Sequence, residues 1–147
     1  MTRPRSRFAP TRSLLVFAAA TLAAACRQPP ASDHLEAKNA VGPYSAAVVA
    51  EGRLLFLSGK IGTPGGTFAD EMNGALDAVS TDLARAGATV ADVVSVNVYL
   101  TDMALFDEMN RLYAARIPAP FPARTTVAVS SLPKGARVEL QAVAHLH

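Results

Sequence analysis

Two short apolar runs, Ala46-Ala47-Val48-Val49-Ala50 and Leu54-Leu55-Phe56-Leu57, flank Glu51-Gly52. Glycine can take the positive φ of a tight turn, so Ser45 to Ser58 is expected to form a hairpin. Thr63-Pro64-Gly65-Gly66-Thr67 has the residues of a loop. From Phe68 to Ala86 the apolar residues Phe68, Met72, Leu76, Val79 and Leu83 recur at three- and four-residue steps. That spacing draws one helical stripe, with Asp70 and Glu71 at its positive end and Gly87 as terminator. Val93 to Leu100 is β-branched and apolar, hence a strand. Val94, Val96, Val98 and Leu100 should share one face, and Ser95, Asn97 and Tyr99 the other. Thr101 or Asp102 caps a second helix carrying Phe106, Met109 and Tyr113 on one stripe. It must stop by Arg116-Ile117, because Pro118, Pro120 and Pro122 follow. Thr125 to Val129 is a further strand, Leu132-Pro133-Lys134-Gly135 a turn, and Val138 to His145 the last strand.

The order β-β-α-β-α-β-β predicts an α+β fold, a mixed sheet with two helices packed on one face. The uncovered face would carry Asn97, Tyr99, Glu139 and Gln141 beside apolar residues such as Val93 and Val143. A partly apolar open face tends to find a partner, so a homo-oligomer is expected.

Charge changes the picture at the N-terminus. The 147-residue chain has formal net charge +2, from 14 basic and 12 acidic residues. Arg3, Arg5, Arg7 and Arg12 all precede the first apolar run. Without residues 1–25, ten basic residues face 12 acidic ones, giving −2. The remaining domain offers no charge-based case for binding nucleic acid. Residues 1–25 have the parts of a secretory signal: an arginine-rich start, an apolar stretch from Leu14 to Ala25, and small residues before a cleavage point. The stretch is shorter than the ~20 residues a bilayer-spanning helix needs. Cys26, the single cysteine, follows Leu22-Ala23-Ala24-Ala25 and resembles the lipidated cysteine of a bacterial lipobox, although Ala23 stands where leucine is favoured. The alternative is a plain signal peptide with an incidental cysteine. Either way the chain is read as exported, periplasmic or anchored to a membrane only through an N-terminal lipid, and one cysteine forms no internal disulfide. Residues 26–38 are polar and contain proline, which suggests a tether, and residues 39–147 form the domain.

The chemistry is sparse. His34 falls in the tether and His145 and His147 at the terminus, so a solvated tail is preferred to a metal site and no Ser/His/Asp arrangement arises. Gly62 to Gly66 lacks the lysine and hydroxyl spacing of a phosphate loop. Two charged residues say more. Arg124 stands between a proline-stiffened approach and a strand start, and its planar fork of donors matches a carboxylate. Glu139 lies within an otherwise apolar strand, where a carboxylate costs stability unless it faces water, a cation or a cavity. An Arg124–Glu139 salt bridge, or a solvated strand face, would explain both without any function.

Gly42-Pro43-Tyr44-Ser45, Ser58-Gly59, Val96-Asn97-Val98-Tyr99-Leu100-Thr101-Asp102, Pro122-Ala123-Arg124-Thr125 and Leu132-Pro133-Lys134-Gly135-Ala136-Arg137-Val138-Glu139 together resemble the RidA (YjgF-like) family, in its order and spacing across residues 39–145. The resemblance implies a chorismate-mutase-like fold, homotrimers with a site in each intersubunit cleft, and 2-iminobutanoate/2-iminopropanoate deaminase activity without a cofactor. By matching motif, Arg124 would bind the carboxylate of an imino acid and Glu139 would position water. Tyr44, Ser58, Gly59 and Asn97 would line the cleft, with Tyr44 joining the catalytic residues by donating a hydrogen bond or closing the pocket. The chain departs from the family at Lys60 and Ala46, where glutamine is common, and a lysine at the cleft would add to anion binding or alter substrate choice. Arg124 and Glu139 should then converge on a shared hollow from opposite sides of a small organic acid. Three functions stay open on the sequence: an imine hydrolase, an exported non-catalytic binder of small carboxylates using the same cleft, and a ribonuclease, which the acidic balance disfavours.

Overall fold

The computed structural model describes residues 32–147. Among them six strands and two helices follow in the order β1 (Asp33–Leu35), β2 (Ala47–Val49), β3 (Arg53–Phe56), α1 (Phe68–Arg85), β4 (Val93–Leu100), α2 (Phe106–Ala114), β5 (Ala123–Ala128) and β6 (Val138–Leu146). A four-stranded sheet has the order β3-β6-β4-β5. Only β4 and β5 run parallel, and α2 supplies the crossover that such a pair requires. Val96, Val98, Leu100, Val138 and Leu140 on one sheet face pack with Met72, Leu76 and Leu83 of α1 and Met109 and Tyr113 of α2. This is the expected α+β architecture, with both helices on one face.

The first helix begins where its apolar stripe begins. Thr67 Oγ1 accepts from the Asp70 backbone N–H at 3.1 Å, and the Asp70 carboxylate accepts from the Thr67 N–H at 2.9 Å. That reciprocal pair satisfies two otherwise orphaned donors. Gly87 follows the helix at φ 77°, the left-handed conformation that terminates helices.

Four expectations need correction. The Ser45–Ser58 segment is not a self-paired hairpin: β2 pairs with β1, and β3 pairs antiparallel with β6. Gly52 does take positive φ, but turn chemistry does not choose partners. The longer β6 offers Ala144 opposite Leu55, which buries Leu55 beside the core. Structure also begins earlier than Asn39. Asp33–Leu35 is a strand, and His34 Nδ1 lies 2.9 Å from the Phe121 carbonyl oxygen, so part of the supposed tether is tied to the domain. Third, a register shift between Val93 and Ser95 interrupts the alternation of β4. Val93 therefore joins the core cluster, while Val94 is left out of it. Fourth, His145 is buried, not solvated, its ring edge-on to His147, and His147 Nε2 meets Asp92 Oδ1 at 2.7 Å. At the second helix, Asp102 caps a 3₁₀ turn over Met103–Leu105 that leads into α2.

Glu71 shows that the α1 stripe is not wholly apolar. It is 2% exposed and holds Arg137, accepting from Nη2 at 2.9 Å, Nε at 3.1 Å and the Arg137 backbone N–H at 2.9 Å. Burial works to raise the Glu71 pKa, but the Arg137 hydrogen bonds and charge prevail and hold it below its ordinary value. A depressed folded-state pKa contributes stability that is complete above the unfolded value and is lost as pH falls through the folded one. Glu71→Ala should therefore lower stability by about 2–4 kcal/mol at neutral pH, below the full cost of breaking a buried pair because Arg137 retains water. The deficit should shrink in acid, measured by urea unfolding at pH 7 and pH 3. A deficit independent of pH would show that the lost side-chain packing, not the carboxylate, is responsible.

Candidate active site

Proline at 118, 120 and 122 restricts φ along the approach to β5, which bends at 119–120 and includes a cis Ala119–Pro120 peptide bond. Arg124 is the second residue of that strand, not a residue ahead of it, and pairs with Val96. Cross-strand partners share a face. Val96 belongs to the core, so the Arg124 side chain rises on the helix-covered side. There α2 meets it: Nη2 donates to Asn110 Oδ1 at 2.6 Å, and Nη1 lies 3.9 Å from Met109 Sδ. The rings of Tyr113, Tyr44 and Phe106 stand 5.0, 5.7 and 6.0 Å from its Cζ. A Cβ at Gly42 would come within 2.7 Å of Nη2 and 2.8 Å of Asn110 Oδ1, so the Gly42-Pro43-Tyr44 loop reaches this position only because residue 42 has no side chain. Burial pulls the guanidinium pKa down, with Tyr113 and Tyr44 working against that shift, and arginine remains charged throughout. Among the described residues no carboxylate forms an ion pair with it. Arg124 is thus a half-buried cation held by one neutral amide and three aromatic rings, an arrangement chemically able to receive an anion.

Glu139 is the second residue of β6 and pairs with Tyr99. Tyr99, Asn97 and Gln141 lie on the face opposite the helices, where Phe56 is 70% exposed and Val127 41%. The Glu139 carboxylate rests over Gly59, and a Cβ there would overlap its Oε1. Only glycine leaves that carboxylate its position. Ser58, beside it, is exposed. Among the described residues Glu139 has no ion-pair partner, so the Arg124–Glu139 salt bridge does not form.

The expected site residues thus separate into two half-sites on opposite faces of one sheet. Arg124 and Tyr44 make one, Glu139, Gly59 and Ser58 the other, and a single chain does not bring them to one hollow. Asn97 shares the face of Glu139, and its Nδ2 donates to Gln141 Oε1 at 2.8 Å. Lys60 departs from expectation. Its backbone bonds to Leu140 on both sides, which turns its side chain with that of Leu140 toward the helices. There Nζ meets Asp82 Oδ2 at 2.5 Å, away from Glu139. Cys26 and the leader lie outside the described residues.

Asn110, Phe106 and Gly42 also carry the Arg124 half-site, although no local sequence pattern assigns them to it. Asn110 sits four residues after Phe106 and one after Met109, at the margin of the apolar stripe of α2. A polar residue at that margin, on a helix next to the arginine strand, was the available signal.

Comparison with known proteins agrees with this architecture. The family model described as Endoribonuclease L-PSP matches residues 34–146. The human 2-iminobutanoate/2-iminopropanoate deaminase is 37% identical over 116 residues, covering 74% of this chain and 84% of the human protein. Among solved structures, RidA from an Antarctic Psychrobacter superposes with TM-score 0.63 at 32% identity, covering 82% of this chain and 100% of that one. The YjgF gene product of E. coli does so with TM-score 0.61 at 32% identity, covering 74% and 91%. With the family model spanning the domain from β1 to the end of β6, and RidA and YjgF structures sharing its sheet and helices, the chain belongs to the RidA/YjgF (Endoribonuclease L-PSP) family.

Proposed function

We propose that this chain hydrolyses 2-imino acids of the 2-iminobutanoate/2-iminopropanoate type to 2-keto acids and ammonia. The observation that carries this reading is Arg124: a half-buried guanidinium with no anionic partner among the described residues, matched in shape and charge to a substrate carboxylate. The deaminase names of its relatives support the same reading and give none to a non-catalytic binder of carboxylates.

Arg124 fixes the carboxylate and so orients the adjacent imine carbon. Water adds to that carbon as Glu139 takes one of its protons. With the imine nitrogen protonated, this gives a neutral carbinolamine. Glu139 returns its proton to nitrogen. The C–N bond then breaks as the C=O forms, and the hydroxyl proton passes back to Glu139, which releases it as ammonia leaves. Tyr44, beside Arg124, closes the carboxylate end, and Ser58 offers a polar contact near Glu139. The imine is already electrophilic, so the reaction requires no cofactor. Because Arg124 and Glu139 occupy opposite faces of one sheet, the site is completed between copies of the chain. The open face with Phe56 and Val127 is the surface for that association, and a homotrimer follows from the family. We also propose export, with Cys26 as the lipidated first residue; mass spectrometry of the mature N-terminus from the native host tests it.

The deciding experiment supplies the protein with 2-aminoacrylate generated by a dehydratase and follows ammonia release. Release above the spontaneous rate is the expected result. A ligand-induced thermal shift without turnover would instead restore the binder. Strong, salt-sensitive RNA binding would favour the ribonuclease that the family description names.

A further inference from the structure

The Arg124 half-site contains a polar group that the hydrolysis itself does not use. Asn110 Oδ1 accepts from Arg124 Nη2 at 2.6 Å, and it is the one oxygen acceptor that the described residues give this guanidinium. The contact is closely fitted: a Cβ at Gly42 would approach both Arg124 Nη2 and Asn110 Oδ1 to under 3 Å. Rings of Tyr44, Phe106 and Tyr113 fill other sides. Arginine side chains lose substantial rotamer freedom when fixed, and an acceptor is the usual means of fixing them. A carboxylate here would serve that purpose more strongly, but it would also neutralise the charge that a substrate must find. An amide holds the fork and leaves its charge whole.

We propose that Asn110 is a positioning residue that sets the affinity of the site for carboxylate substrates, by anchoring Arg124 through a neutral acceptor. This rests on the reading of Arg124 as the carboxylate receptor. Its consequence lies in the chemical identity of the residue, not in its volume. Asn110→Asp is nearly isosteric but places an anion on Nη2, a built-in competitor for the substrate carboxylate. Asn110→Ala frees the fork without neutralising it.

The test measures kcat and KM for imine hydrolysis in both variants, together with inhibition by a small 2-keto acid and thermal unfolding. Asn110→Asp should raise KM and the inhibition constant about tenfold or more, with a smaller change in kcat. Asn110→Ala should raise them less. A merely structural role predicts that the two variants follow their melting temperatures, with KM unmoved. KM for Asn110→Asp within twofold of the parent protein, in a chain whose Arg124→Ala variant is inactive, would overturn the role of Asn110 alone. Full activity in Arg124→Ala would overturn the receptor reading and this inference with it.

Discussion

Arg124→Ala should lose on the order of 10²–10³-fold or more in kcat/KM for 2-imino acids while remaining folded. The loss is large because the guanidinium does two things at once. It supplies charge-assisted bonds to the carboxylate, and it fixes the distance from that carboxylate to the attacked carbon. Lysine at 124 should recover little, since an ammonium is a point charge with no planar fork and would not span the distance to Asn110 in the same geometry. Stability should change in the opposite sense to activity. The native arginine is half-buried and has no counterion among the described residues, so its removal relieves desolvation even as it loses contact with three rings. Circular dichroism melting and steady-state kinetics on the same preparation check both halves. A variant that is inactive because it is unfolded would show the two falling together.

Glu139→Gln should lower kcat by about 10²–10⁴-fold, the range of a general acid–base group, with KM little changed. Glutamine keeps the size and the acceptor oxygen but cannot take a proton from water. Gly59→Ala offers a control of position instead of chemistry, because the added Cβ must push the carboxylate from its place. Both variants should be impaired, Glu139→Gln through lost proton transfer and Gly59→Ala through a displaced carboxylate. If Glu139→Gln retained the parental kcat, the water-directing role would belong to another group.

The elements were legible in the sequence where one local pattern determined them. The β4 bounds, the α1 stripe and the Gly87 terminator all follow from short-range periodicity and residue conformational preference. What was not legible depends on pairing between distant segments. No periodicity within residues 33–56 says that β2 joins β1 while β3 joins β6, since that choice is made by what β6 has to bury. The bulge at Val93/Val94 is of the same kind: strict alternation is the default, and one extra residue reassigns every side chain before it. At the site, Glu139 stands out because a strand is a costly place for charge, and Arg124 because its planar donor fork follows a proline-stiffened approach. Asn110 and Gly42 did not, because an exposed-looking amide and a loop glycine acquire meaning only from the arginine they touch. Glu71 has the charge of a helix-start residue, although its three-residue step from Phe68 already puts it on the buried stripe.

The two-sided placement of Arg124 and Glu139 has a genetic consequence. Two disabled chains, one carrying Arg124→Ala and the other Glu139→Gln, each lack a different half of the reaction centre. Denatured together and refolded as a mixture, some junctions would unite an intact guanidinium from one polypeptide with an intact carboxylate from its neighbour. Such a mixture should regain a fraction of wild-type turnover that neither parent shows alone, and the recovered fraction should depend on mixing ratio in the way that random assortment dictates.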